Sequence, residues 1–115
     1  MHVTRLSDAR PYEAAKHFNM TGLRLQGFDA SPNEHFWVGL SHFLPGGGAE
    51  SSDSPIEKVY IVVSGEVTVI TDAGETTLHA LDSCRLAASE RREIINRSNL
   101  PASMLVVMPY PEGTK

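Results

Sequence analysis

The 115-residue chain predicts an all-β fold, an antiparallel barrel or sandwich in one domain. Three observations carry that expectation. β-Branched and aromatic residues alternate in short segments, turn residues separate these segments at close spacing, and no long helical pattern occurs. A chain of this length supports one core but not two.

Residues 1 to 20 read as an N-terminal arm, with a short helix expected over Tyr12-Glu-Ala-Ala-Lys-His17 behind Pro11. Such a helix needs packing to persist. Residues 21 to 110 read as the barrel and 111 to 115 as a polar tail. The expected strands are Gly22 to Gly27, Phe36 to Leu44, Val59 to Val63, Val67 to Thr71, Thr76 to Leu81, Ser83 to Ala87, Glu93 to Asn96 and Ser103 to Met108. Pro45-Gly-Gly-Gly48 is expected to end its strand, Ser64-Gly65-Glu66 to reverse the chain and Asp72-Ala-Gly-Glu75 to form a hairpin turn. Ala49 to Ser54 reads as a flexible loop.

The formal net charge of −4 supplies no positive field for phosphates, which argues against nucleic acid as a partner. No apolar run approaches the roughly eighteen residues of a membrane span, and the first twenty residues carry five charges, so neither a membrane partner nor a leader is expected. The single Cys84 cannot form an intramolecular disulfide; with that, a cytoplasmic location is the expectation. Cys84 reads as a small buried thiol in a short strand, with no neighbouring histidine to activate it.

In order and spacing, several fragments resemble the cupin superfamily, a double-stranded β-helix or jelly-roll barrel. Leu44-Pro-Gly-Gly-Gly48 is similar to the turn leading into that family's first motif, and Pro55 with Glu57-Lys-Val-Tyr-Ile-Val-Val-Ser-Gly-Glu66 to the rest of it. Leu81-Asp82-Ser83 resembles the opening of the second motif, and Arg92 with Asn96 keeps its His-x-x-x-Asn spacing. Asn99 to Met108 is similar to the last strand and its turn. The resemblance implies a cupin-type barrel and a metal held by an HxH pair, a glutamate and a later histidine. Here those positions fall on Ser52 and Ser54, or Ser51 and Asp53 in a register one residue longer, then on Lys58 and Arg92.

Lysine and arginine offer no lone pair at neutral pH, so no metal and no cofactor is expected at this place. Period-two alternation puts Lys58 and Tyr60 on one strand face, and Arg92, Ile94 and Asn96 on one face of another. In the cupin register both cations point toward the barrel mouth. They would replace the ion's charge and bind a carboxylate or enolate oxygen of a small acidic metabolite. The competing reading pairs them with Glu50, Asp53, Glu57 or Glu93, or leaves them exposed at strand ends. Glu57 should face outward.

The expected substrate-binding residues are therefore Lys58, Arg92, Ser52 and Ser54, with Trp37 at the rim. Tyr60 would donate a hydrogen bond, and His42 or His17 would move the proton in an isomerase, lyase or decarboxylase type of reaction. His42 shares a face with Phe36, Val38, Leu40 and Leu44, which also suits a core or interface histidine. His17 requires the arm to fold back over the mouth. His2 is terminal, and His35 and His79 read as surface residues. Two alternatives stand beside the enzyme: a non-catalytic binding or sensor module using the same cations, and an atypical metal site built from His17, His42, Glu50 and Asp53. Strands such as Phe36 to Leu44, apolar on both faces, further predict a homodimer.

Overall fold

The computed structural model describes residues 1–111. After one 3-10 turn at Leu6–Asp8 the chain is built of strands: β1 Arg10–Tyr12, β2 His17–Gln26, β3 Phe36–Ser52, β4 Lys58–Ser64, β5 Val67–Thr71, β6 Gly74–Leu78, β7 Ser83–Leu86, β8 Arg92–Ile95 and β9 Ala102–Pro109. The sheet runs β6-β5-β8-β3-β9-β4-β7, with β2 on β3 and β1 on β2. Every pairing is antiparallel. This is a barrel, one of the two forms the alternating pattern allowed, and the jelly roll that the cupin resemblance implied. No helix among the described residues is long and apolar enough to cross a membrane.

Three local expectations need correction. Pro45-Gly-Gly-Gly48 does not stop its strand; β3 passes through it and reaches Ser52, so Ala49 to Ser52 belongs to the sheet rather than to a flexible loop. The glycines serve as a corner there. Gly46 adopts a φ of 80°, and a Cβ on Gly48 would lie 1.9 Å from the Ile94 carbonyl oxygen. Before that corner β3 pairs with β9, from Phe36 to Phe43, and after it with β8, from Gly48 to Ser52. One strand therefore serves both halves of the barrel.

The third correction concerns the arm. Tyr12 to His17 forms no helix; Tyr12 ends β1, and a turn closed by the His17 amide on the Ala14 carbonyl, 3.3 Å, leads into β2. Lys16 sits at φ 61° in that turn, a left-handed conformation no helix contains. Its carbonyl accepts from the Glu50 amide at 2.8 Å. Sheet pairing of this segment outweighs the helix propensity of Glu-Ala-Ala-Lys.

The core lies between the sheet halves and is built from inward residues of alternate register: Phe43 and Ala49 on β3, Val62 on β4, Val67 and Val69 on β5, and Ile94 and Met104 opposite. Asn96 is completely buried and works as a clasp, its amide nitrogen donating to the Phe43 and Leu100 carbonyls at 3.3 and 2.8 Å. Cys84, half-buried opposite Tyr60, has its thiol pushed up first by burial, which keeps it unreactive.

Candidate functional site

A hollow of about 220 Å³ opens at one end of the barrel. Its cationic side is made by Lys58 at the start of β4 and Arg92 at the start of β8. Alternation carries both inward: Lys58, Tyr60 and Val62 are buried while Val59 and Ile61 between them are only partly covered. Lys58 is 6% and Arg92 8% exposed, and neither forms an ion pair among the described residues. The ion-pair reading is thereby corrected. Glu57 turns outward and pairs with Arg85, and Glu50 offers Arg92 only its backbone carbonyl, at 3.1 Å.

Arg92 is held by three acceptors. Its Nε donates to the Tyr60 hydroxyl at 2.9 Å, and its Nη1 donates to the Glu50 carbonyl and to Ser52 Oγ at 3.2 Å. All three are neutral, so the guanidinium is oriented without being neutralised. Ser54 lines the hollow, whereas Ser51 and Asp53 are exposed. The shorter register is thus the inward one. Lys58 is buried and lines the hollow, and its pKa is lowered first by burial and then by the Arg92 charge.

His17 reaches the hollow from β2. Its Nδ1 lies 2.8 Å from the Ala15 carbonyl oxygen. A carbonyl can only accept, so Nδ1 carries the hydrogen and the lone pair of the neutral ring is on Nε2. Burial lowers the His17 pKa most, Arg92 and Lys58 lower it further, and the bond to Ala15 opposes them. The imidazole is therefore a neutral base beside two cations.

His42 does not join this group. On β3 Trp37, Gly39, Ser41 and Phe43 are buried on the barrel side and Leu40 on the other; His42 shares the Leu40 face and is only partly covered, its Nδ1 2.8 Å from Ser103 Oγ. Its assignment as a proton carrier is corrected; the interface reading of its position is the one compatible with its side of the sheet. His35 and His79 are on the surface beside Glu34 and Glu66, and His2 is exposed.

Trp37 lines the hollow, as do Tyr12 and Ser41, which sequence reasoning missed. Ser41 was within reach of the alternation that places Trp37. Tyr12 depended on the arm being a strand. Behind this wall the Arg24 guanidinium lies 4.1 Å from the Tyr12 ring centre, 3.9 Å from that of Phe28 and 4.6 Å from that of Trp37. Cation–π contacts from one planar group thus fix three rings. No pattern of spacing signals such a cage.

A second hollow of about 200 Å³ outside the barrel meets Arg5, Arg10 and Arg24 but also Asp8 and Asp29, with Arg10 3.8 Å from Asp29. Its three arginines meet two aspartates, so most of its charge is compensated within it, whereas no carboxylate lines the barrel hollow.

The donor chemistry does not fit a metal ion. Lys58 and Arg92 carry no free lone pair, the hollow has no carboxylate lining it, and among the described residues no group of three His, Cys, Asp or Glu converges. The set His17, His42, Glu50 and Asp53 is not brought together, since His42 faces outward and both acids are exposed.

Comparison with known proteins agrees with this architecture. Residues 39–108 match the family described as the cupin domain. A Mycobacterium tuberculosis protein named beta-D-galactosidase is 45% identical over 111 residues, covering 96% of each chain. Among solved structures, the polyketide cyclase RemF of Streptomyces resistomycificus superposes with a TM-score of 0.87 at 14% identity, over 99% of this chain and 82% of that one. A sugar phosphate isomerase of the cupin superfamily from Silicibacter pomeroyi gives a TM-score of 0.78 at 23% identity, over 93% and 74% of the two chains. With the barrel, the motif order and the profile match over most of its length, this chain belongs to the cupin family.

Proposed function

We propose that this cupin acts without a metal on a small metabolite bearing a carboxylate or carbonyl, holding its oxygen with Lys58 and Arg92 and moving a proton with His17. The observation that carries the reading is the pair of buried cations facing a hollow that no carboxylate lines. Two uncompensated charges out of water are costly, and an anionic ligand is what offsets that cost. In the reaction the neutral His17 removes a proton from the carbon next to the carbonyl. The electron pair moves onto the carbonyl oxygen, where the two cations and the Tyr60 hydroxyl stabilise the enolate. Return of the proton to a neighbouring atom completes an isomerisation; loss of a leaving group from that neighbour completes a lyase reaction.

The test is thermal-shift and calorimetric titration with small carboxylic acids, pyruvate among them, on wild type and Arg92→Ala. Stabilisation by an acid that the substitution abolishes supports the site; stabilisation that survives it, or a stoichiometric transition metal in the purified protein, overturns it. Turnover of the bound acid separates an enzyme from a binding module.

A second reading is glycoside hydrolysis, favoured by the 45% identity to a protein named a beta-D-galactosidase. Most glycosidases use two carboxylates at the scissile bond, and the hollow is lined by none. Hydrolysis of a chromogenic galactoside that is lost in both His17→Ala and Tyr60→Phe would favour this second reading over the first. The proposal also includes a homodimer assembled through the outer face of β2, β3, β9 and β4.

A further inference from the structure

The anion site accounts for Lys58 and Arg92 but not for the rest of the hollow. Trp37 is 7% exposed, and its indole Nε1 is buried with no acceptor among the described residues. Ser41, 3% exposed, and the half-buried Tyr12 bring two hydroxyls to the same space. The Tyr60 oxygen already accepts from Arg92, so its own hydrogen is also unspent. Buried polar groups are nearly always satisfied, and a lining of hydroxyls that can both donate and accept, with the accepting Nε2 of His17 beside them, suits a ligand that carries hydroxyls of its own.

The register says how far apart the backbones of the two sides of the hollow stand. Trp37 pairs with Met108 on β9, and Val59 pairs with the adjacent Val107, so Trp37 and Lys58 flank Met108 at nearly the same level. Two strand spacings separate their backbones, roughly 10 Å. Between them Met104, Val106 and Met108 give an apolar floor, and the rings of Trp37 and Tyr12, held at 86° to each other, give a wall. The hollow of about 220 Å³ has room for roughly seven water molecules at 30 Å³ each, the size of one sugar unit and not of a chain.

We propose that the hollow takes a polyhydroxylated carboxylate of monosaccharide size, a sugar acid. Its carboxylate lies on Arg92 and Lys58, its hydroxyls bond with those of Tyr12 and Ser41, and its carbon–hydrogen faces rest on the methionines and on the rings of Trp37 and Tyr12. This rests on the anion site proposed above and names the ligand class for it.

Calorimetric titration of the full chain with D-galacturonate, D-galactose and pyruvate tests it. Galacturonate is expected to bind about tenfold tighter than either of the others, because only it uses both ends of the site. Tyr12→Phe and, independently, Ser41→Ala should each weaken galacturonate roughly fivefold while leaving pyruvate unchanged. Ser41→Ala stands alone as the reading if Tyr12→Phe fails to fold. Galacturonate binding no tighter than pyruvate, or a Ser41→Ala variant that binds it as wild type does, overturns the sugar-acid class and leaves the anion site standing. Pyruvate binding unchanged in Arg92→Ala overturns the anion site and this inference together.

Discussion

Arg92 Nε donates to the Tyr60 hydroxyl at 2.9 Å, which commits the phenol oxygen as an acceptor and frees its hydrogen for something else in the hollow. Burial raises the Tyr60 pKa most, outweighing the lowering by Arg92, so the phenol keeps that hydrogen. Tyr60→Phe should leave the barrel folded and weaken acid binding about tenfold, as expected for one lost hydrogen bond to a charged group. Arg92→Lys should not rescue Arg92→Ala, because an ammonium cannot reproduce the fork that reaches Tyr60, Glu50 and Ser52 together. Titration of the three variants checks both statements; an active Arg92→Lys would show that charge alone suffices.

His17 makes stability and binding depend on pH in opposite senses. Its folded pKa lies below the usual value of about 6.5, chiefly through burial. As pH falls below that value the unfolded chain takes up a proton that the folded chain refuses. Stability is thus fully present above about pH 6.5 and declines as pH drops through the folded pKa. His17→Gln should flatten this slope in urea denaturation between about pH 5 and pH 7.5. A bound anion next to the ring reverses the local field, so acid binding should tighten on acidification and be accompanied by proton uptake. Calorimetry in two buffers of different ionisation enthalpy measures that uptake directly, and zero uptake would remove His17 from the site.

Lys58 should cost stability in return for its place in the hollow. Its pKa is lowered first by burial and then by Arg92, so the unfolded chain holds this proton up to a higher pH than the folded one. The penalty is complete below the folded pKa and relieved as pH rises toward 10.5. Lys58→Met keeps the stem and removes the charge, and should stabilise the fold by roughly 1–2 kcal/mol at neutral pH while abolishing acid binding. A less stable Met variant would mean that the ammonium has a favourable partner.

The eight strands read from alternation all have counterparts, because a sheet with one buried face writes its register into the sequence two residues at a time. The same rule carries Lys58, Tyr60 and Arg92 inward, since each stands an even number of residues from a core position such as Val62 or Ile94. What the pattern could not show was which half of an alternating strand faces in when both halves are apolar. His42 illustrates this, sharing β3 with Trp37 and Phe43 but not their face. Nor could local chemistry show that β3 runs through Pro45-Gly-Gly-Gly48, where pairing with β2 and β8 overrides the turn preference. Tyr12 and Arg24 were hidden for a third reason: their roles arise from strands brought together by topology, and nothing in their spacing reports it.

Leu81 offers a test of backbone strain at the second cupin-like motif. It adopts a φ of 71° and is 81% exposed, so a γ-branched residue occupies a left-handed position without any packing to compensate. Its amide donates to the Val62 carbonyl at 2.7 Å, which pins the turn in that conformation. Leu81→Gly should stabilise by about 0.5–1 kcal/mol, the relief of strain exceeding the added freedom of the unfolded chain. Urea denaturation measures the difference, and a destabilised glycine variant would show that Leu81 is covered in the native assembly.

The outer face of the sheet bears on that assembly. Leu23, Leu40, Leu105 and Ile61 stand in one row across β2, β3, β9 and β4, and Val38, Val107 and Val59 stand in the next. Phe36 and Val63 at its margins are 48% and 43% exposed. Leu40 is already buried and the others in these rows are partly covered, and a second copy related by a two-fold axis would cover the apolar area they still expose. His42, bonded to Ser103 beside this row, would then be an interface residue. Light scattering coupled to gel filtration should give twice the chain mass of 12.6 kDa for the wild type. Leu105→Glu should shift it toward the monomer, because a charge at the centre of an apolar contact is left without a partner. Ser103→Ala, which removes only the His42 contact, should weaken the dimer less. A wild-type monomer at micromolar concentration would refute the assembly while leaving the hollow and its chemistry unaffected.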